Sequence, residues 1–230
     1  MRSIVFSVLA AGVLLLCALS GCGRDQGLDF FGIGADADFP AAQAALAERG
    51  FRFEGREGEP FLFIGSDFEE YYTFAGQTRL LAALKKDFAA LVAKAEGYEY
   101  FEPRYVNSYI FQPPGGGEEA ADGPDQIAGG EVGVGFSALS GEPLYIYYFT
   151  DDIRPLLAEY QKRMPEAEQV FPATGAAGLD YHYFETETQL LLLEKDPGGD
   201  SGGAICYFAD HVEAFYKAMQ TELNRYGAMQ

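Results

Sequence analysis

The sequence DYHYFETETQLLLLEKDPGGDSGGAICYFAD, residues 180–210, decides the fold class. Its apolar runs predict strands near 180–186, 188–195 and 204–208, because they are rich in Leu, Tyr and Phe and are bounded by turn-forming residues. The connections are short, and the glycine-rich segment 198–203 is typical of a hairpin turn. Strands joined by such turns pair antiparallel. The stretch therefore predicts an antiparallel sheet.

The same grouping of strands and helices recurs over the rest of the chain. Apolar periodicity predicts further strands near 51–63 (as a hairpin), 70–74, 98–111, 131–139 and 143–150, and helices over 38–50, 76–97, 151–164 and 210–227. Groups of strands with short connections, in place of regular strand–helix alternation, indicate an α+β fold. We therefore predict an α+β fold with about four helices packed on an antiparallel sheet or sheets.

Three of the predicted helices begin at residues that can cap a helix. Asp38 stands two residues before Pro40, and a proline is tolerated in the first turn. Asp151 is placed to cap the third helix. Asp210 and Glu213 have the spacing of a capping box at the start of the fourth.

Residues 30–230 are predicted to form a single globular domain that contains one mobile loop. The loop, residues 113–130, has three successive glycines, Pro124 and several acidic residues, a composition that cannot build a core. The order of helices and strands is compatible with two related halves whose boundary lies in this loop. No residue-level repeat is visible to establish a duplication.

The N-terminal 22 residues differ in character from the rest. Arg2 gives a positively charged start, an apolar run of 16 residues covers positions 4–19, and the run ends in Leu19-Ser20-Gly21-Cys22. This pattern resembles the signal peptide and lipobox of a bacterial lipoprotein.

The resemblance implies a lipid anchor. It implies transfer of a diacylglyceryl group to the Cys22 thiol and cleavage between Gly21 and Cys22. Residues 1–21 are then the signal peptide and residues 22–29 a lipidated tether. A lipoprotein carries two or three acyl chains, which give stable membrane attachment where one chain gives only marginal binding. The expected location is the cell envelope, outside the cytoplasm.

Two alternatives to a lipobox fit the N-terminal residues less well. An uncleaved transmembrane helix needs about 20 apolar residues, and this run is shorter and contains Ser7. A simple secretory signal needs small residues before its cleavage site but no cysteine after it. The agreement of the apolar run, the small residues and Cys22 favours the lipoprotein interpretation.

The charge of the chain limits its partners. Because Arg2 is the only charged residue in positions 1–21, the remaining 209 residues carry 15 basic and 35 acidic side chains, a formal charge of −20. Binding to nucleic acid is excluded, since phosphate recognition needs a basic surface. A basic protein partner would be attracted. The alternative, that acidity only keeps an exported protein soluble, stays open.

The cysteines predict a fold without disulfide staples. Cys17 is removed with the signal peptide and Cys22 is lipidated, so Cys206 has no partner for an internal disulfide. Cys206 lies in an apolar run, where a buried, inert thiol is expected.

One segment resembles a catalytic motif. Residues 199–203, Gly-Asp-Ser-Gly-Gly, are similar to the nucleophile loop of trypsin-like serine proteases. That family needs a general-base histidine far upstream, yet no histidine precedes His182, and His211 follows Ser201 by only ten residues. Without a base the serine is a weak nucleophile, so we predict a hairpin turn and no catalytic residue.

The other titratable residues give no recognisable site. Strand alternation places His182 on the face shared with Phe184, where a neighbouring polar group usually holds such a histidine. Two histidines and one spare cysteine form no zinc spacing, so we predict neither a metal nor a cofactor. Carboxylates are paired at 69–70 and at Glu185 and Glu187, but in so acidic a chain such pairs decide nothing.

The tyrosines remain as a signal for binding. Tyr181, Tyr183 and Glu185 are our candidate binding residues, because exposed tyrosines beside carboxylates suit a protein or glycan partner. The leading hypothesis is a non-catalytic, lipid-anchored envelope protein that binds another protein or an envelope polymer. The alternatives are an envelope hydrolase that uses paired carboxylates, and an immunity or inhibitor protein against a basic toxin or enzyme.

Overall fold

A computed structural model describes residues 27–59, 105–113, 130–165, 168–171, 180–196 and 198–229, and five helical positions between 86 and 94. Several predictions lie outside these residues. They are the signal peptide 1–21, the lipidation site Cys22, the tether up to residue 26, the second strand of the 51–63 hairpin, the strand 70–74, the carboxylate pair 69–70 and the loop 113–130 except its two ends.

The described strands form one antiparallel sheet of eight strands in the order β1-β2-β3-β4-β8-β7-β6-β5. This result confirms the predicted α+β class. The strands are β1 Arg52–Glu59, β2 Val106–Gln112, β3 Gly130–Ser137, β4 Pro143–Thr150, β5 Glu168–Phe171, β6 Asp180–Glu185, β7 Gln189–Lys195 and β8 Gly202–Phe208.

The sheet consists of two meanders joined at its centre. Strands β1–β4 follow one another across one half and β5–β8 across the other, and the last strand of each, β4 and β8, pair in the middle. The change from one meander to the other occurs after β4. It does not fall in residues 113–130, the predicted boundary between two related halves, because those residues connect the neighbouring strands β2 and β3.

Three α-helices are delimited in the described part of the chain: α1 Phe39–Glu48, α2 Arg154–Arg163 and α3 Ala209–Gly227. A short 3-10 turn, Phe30–Gly32, precedes α1. Most of the predicted helix 76–97 lies outside the described residues, although its five described positions are helical. Among the described helices, none is both long enough and apolar enough to cross a membrane.

Of the three predicted helix caps, one is confirmed by the structure. Asp38 caps α1 as predicted, its Oδ1 accepting from the backbone N–H of Ala41 at 2.9 Å. Asp151 does not cap α2, because the neighbouring Asp152 accepts from the N–H of Arg154 instead. The predicted capping box at Asp210 does not form either. α3 continues directly from β8, and its first N–H, of Ala209, donates to the backbone oxygen of Thr188.

Both faces of the sheet are covered. One face packs against α3 and Leu91, and the other packs against α1, α2 and the segment 28–33. We call them the α3 face and the α1/α2 face. Strands buried on both sides have continuous apolar sequences, and Leu190–Leu193 in β7 is such a run.

The two ends of the sheet are used below as reference points. At the Gln189 end, Gln189 pairs with Phe208 and β4 begins at Pro143. At the Gly202 end, Gly202 pairs with both Thr150 and Lys195.

Candidate functional site

The predicted binding residues lie mostly inside the protein. Tyr181 and Tyr183 are 6% and 1% exposed and belong to the core of the α3 face. Burial raises the pKa of the Tyr183 phenol, so this group stays neutral. Glu185 is half-buried at the end of β6. The two tyrosines therefore offer little surface to a partner, because their side chains pack within the core of this face.

The protease-like loop has no histidine beside it. Ser201 lies at the Gly202 end, whereas His211 follows the other end of β8, a separation of about 20 Å along the strand. His182 is buried on the α1/α2 face and is in register with Leu193 and, through it, Ala204. The loop is a turn, as predicted, in which Asp196 N–H donates to Ser201 O and Gly199 N–H donates to Asp196 O.

A cleft of about 380 Å³ opens at the Gln189 end. Asp36, Asp38, Ser140, Glu142 and His211 provide its polar lining.

Local structure uses several of the polar groups in this cleft. Asp38 caps α1, and Ser140 Oγ accepts from the N–H of Glu142. The Nδ1 atom of His211 lies 2.9 Å from Pro143 O, and because a carbonyl can only accept, this nitrogen carries the proton. The cleft is therefore the weaker candidate for a functional site.

A row of aromatic side chains leads from the core to the surface along β4. Strand alternation puts Tyr145, Tyr147 and Phe149 on the α3 face. The ring centroids of Tyr145 and Tyr147 are 6.3 Å apart, and those of Tyr147 and Phe149 are 5.2 Å apart. Tyr145 is fully buried and Tyr147 is nearly so, but Phe149 is 54% exposed. The row therefore ends in an aromatic ring in solvent at the Gly202 end.

Two carboxylates flank this ring. Glu131 on β3 pairs directly with Phe149, and Glu194 on β7 lies on the far side of Gly203. Gly203 has no side chain, and a Cβ there would lie 3.1 Å from both the Phe149 ring and Glu194 Oε1. We call Glu131, Phe149 and Glu194 the Phe149 surface.

The carboxylate of Glu131 is held in position by polar neighbours. Its Oε1 accepts from the hydroxyl of Tyr147 at 2.9 Å, and its Oε2 accepts from Gln112 Nε2 at 3.1 Å. Gln112 Nε2 also donates to Glu54 at 2.9 Å. Hydrogen bonds reach from β4 to β1, so Glu131 presents a fixed negative charge beside an exposed ring.

This arrangement suits a cation. Lysine and arginine are attracted to the face of an aromatic ring and to carboxylates, and guanidinium also stacks on such rings. Sequence reasoning missed Phe149 because it shares the alternation of Tyr145 and Tyr147. The available signal was its place two residues before Asp151, at the end of an apolar strand.

No metal site accompanies these groups: in the described residues, no three His, Cys, Asp or Glu side chains converge to hold an ion. Comparison of the chain with protein-family models, with curated proteins and with solved structures gives no match.

Proposed function

We propose that this chain is a lipid-anchored, non-catalytic protein of the bacterial cell envelope that binds a basic protein partner through the Phe149 surface. Its anchor is the lipid on Cys22, after removal of residues 1–21. The anchor rests on the resemblance of Leu19-Ser20-Gly21-Cys22 to a lipobox.

The observation that carries the binding proposal is the exposure of Phe149. Aromatic side chains are enriched in protein–protein interfaces relative to the rest of the surface, and Phe149 is an exposed ring that pairs directly with the carboxylate-bearing Glu131. Aromatic anchors in interfaces contribute most of the binding energy when the partner excludes water from them. Phe149 has this character, since it continues the buried row of Tyr145 and Tyr147.

The chemistry of the partner follows from charge. Glu131 and Glu194 flank the ring, and the chain beyond residue 21 carries a formal charge of −20. Such a surface attracts a basic protein over a distance and orients it on approach. A basic toxin or enzyme is one such partner, so an immunity or inhibitor role belongs to this proposal.

Photo-crosslinking in intact cells tests the proposal. A photoreactive phenylalanine analogue replaces Phe149 in the full-length, membrane-tethered protein, and adducts are identified by mass spectrometry. Leu139 is the matched control position, because it is 41% exposed and lies in the turn between β3 and β4 at the other end of the sheet.

The proposal expects one dominant protein adduct from position 149 and none of that mass from position 139. Added salt should abolish the adduct, since salt screens exposed charges. Equal adducts at both positions would contradict the proposal. A glycan adduct at position 149 would show that the partner is an envelope polymer and not a basic protein.

Purified components sharpen the test once the adduct is identified. Phe149→Ala should weaken binding by about tenfold or more, as expected for an interface hot spot. Glu131→Gln and Glu194→Gln should reduce the salt dependence of binding while Phe149 is retained. A partner that binds all three variants as tightly as the parent protein does not use this surface.

A further inference from the structure

The chain immediately after the tether is bound into the body of the protein. The N–H of Leu28 donates to the side-chain Oε1 of Gln189 at 2.6 Å, and the carbonyl of Leu28 accepts from the hydroxyl of Tyr160 at 2.9 Å. Both bonds are buried. Arg163 donates to Gly27 O at 3.3 Å and lies 3.8 Å from the carboxylate of Asp29.

Apolar contacts fix the following residues. Leu28, Phe30, Phe31 and Ile33 are all buried in the core of the α1/α2 face. Phe31 has φ +56°, a left-handed conformation that a bulky residue adopts only when its surroundings impose it. Its ring meets Phe51 and Tyr148 edge-on, at 5.8 and 5.3 Å.

The attachment point lies at one end of the molecule. Gln189 is the first residue of β7, and Arg163 is the last residue of α2. Residue 27 therefore leaves the body at the Gln189 end. The Phe149 surface lies at the Gly202 end, about 20 Å away along the strands.

The remaining link to Cys22 is short. Only Gly23, Arg24, Asp25 and Gln26 separate Cys22 from Gly27. A fully extended chain gives at most about 18 Å between the Cα atoms of Cys22 and Gly27. A tether of this reach cannot turn the molecule over without pulling residues 27–33 out of the core.

We infer that the anchor holds this protein in one orientation, with the Gln189 end toward the bilayer and the Phe149 surface directed away from it. This inference rests on the proposed lipidation of Cys22. The partner is then met on the side facing away from the membrane that carries the anchor. Tyr160, Arg163 and Gln189 are the positioning residues, because they hold the chain at its exit from the body.

Energy transfer to labelled lipid tests the orientation. The full-length, lipidated protein is prepared as Thr188→Cys or Ser201→Cys, labelled with a donor and reconstituted in vesicles that contain a short-range acceptor on the lipid headgroups. Both positions are exposed, Thr188 at the Gln189 end and Ser201 at the Gly202 end. Cys206 is fully buried and does not take the label in the folded protein.

The orientation predicts transfer several-fold more efficient from position 188 than from position 201. Equal efficiencies, or a higher efficiency from 201, with the protein still on the vesicles, would overturn the orientation and leave the anchor intact. Absence of the protein from the vesicles would overturn the anchor and the orientation together. Cys22→Ser provides this reference, since it removes the lipidation site.

Two variants test whether the short tether and its attachment to the body cause the difference in energy transfer between positions 188 and 201. A flexible Gly/Ser linker of about twelve residues inserted between Gln26 and Gly27 should bring the two efficiencies together, since its reach exceeds the size of the sheet. Tyr160→Phe, which frees the carbonyl of Leu28, should reduce the difference without removing the protein from vesicles. An unchanged difference with the long linker would show that contacts other than the tether orient the protein.

Discussion

The phenol ring of Tyr147 occupies the space that a side chain at Gly133 would need. A Cβ on Gly133 would overlap Cε1 and Cζ of Tyr147, and one on Gly135 would overlap the same atoms of Tyr145. These residues pair directly across β3 and β4. The glycines of one strand thus accommodate the tyrosines of the next, whose rings cover the glycine backbone.

Gly133→Ala should destabilise the protein by about 1 to 3 kcal/mol, the usual range for overpacking a filled core. The ring of Tyr147 has to move, and its hydrogen bond to Glu131 moves with it. Denaturant unfolding measures the loss. Gly55→Ala is the control, because nothing lies within 4 Å of a Cβ at that position, and its effect should stay within about 0.5 kcal/mol. Equal losses in the two variants would contradict the packing of Tyr147 on Gly133.

The docked segment gives a second prediction. Gln189→Ala leaves the buried N–H of Leu28 without its acceptor and should lower the free energy of unfolding by about 1 to 3 kcal/mol. The N-terminal segment should also become more sensitive to limited proteolysis, because its exit from the body is no longer held. Thr188→Ala is the neighbouring control, since the Thr188 side chain is exposed and should contribute within about 0.5 kcal/mol. Wild-type stability in Gln189→Ala would show that Leu28 does not depend on this bond.

Local sequence signals predicted the helices and strands better than they predicted which side chains of those elements are exposed. Asp38, Phe39 and Pro40 predict the start of α1 correctly because the signal is local, and the bond from Ala41 to Asp38 spans only three residues. The strands of residues 180–208 were predicted to within a few residues because turns bound them. The exposure of their side chains depends on what packs on each face, and alternation alone suggested that some tyrosines reach solvent. The unbroken apolar run Leu190–Leu193 was the better indicator that both faces of the sheet are buried, since polar residues would alternate with apolar ones in a strand with one solvent-exposed face.

The Phe149 surface could not be predicted from local sequence patterns, because the exposure of its side chains also depends on packing. Phe149 and Tyr147 stand in the same alternation on the same strand, and one is exposed while the other is nearly buried. The difference arises from non-local neighbours: Phe149 lies beside Gly203 of β8, and Tyr147 covers Gly133 of β3. Only the register of the sheet brings these residues together.

Buried tyrosines and the buried thiol predict a loss of stability at alkaline pH. Burial raises the pKa of Tyr160, Tyr183, Tyr148 and Cys206 in the folded protein, above ordinary values of 10.0 for tyrosine and 9.0 for cysteine. Below about pH 8 these groups are protonated in both states and add no pH dependence. Above that pH the unfolded chain loses protons that the folded protein keeps, so the stability falls as pH rises.

Denaturant unfolding between about pH 8 and pH 11 measures this dependence, with a contribution of up to about 1.4 kcal/mol per pH unit from each group. Tyr160→Phe removes one of the four groups and should make the decline less steep. A flat free energy of unfolding over this range would mean that these hydroxyls and the thiol are accessible to water when the protein is folded.

The thiol of Cys206 should report on unfolding. It is fully buried in β8, and burial raises its pKa, so the reactive thiolate is neither formed nor reachable in the folded protein. With the chain beginning at residue 27, so that no other cysteine is present, a thiol reagent should react only as denaturant unfolds the sheet. The midpoint of labelling should coincide with that measured by circular dichroism. Labelling at lower denaturant concentration would reveal a local opening of β8 and its neighbours β4 and β7, and the centre of the sheet would then be less stable than the whole.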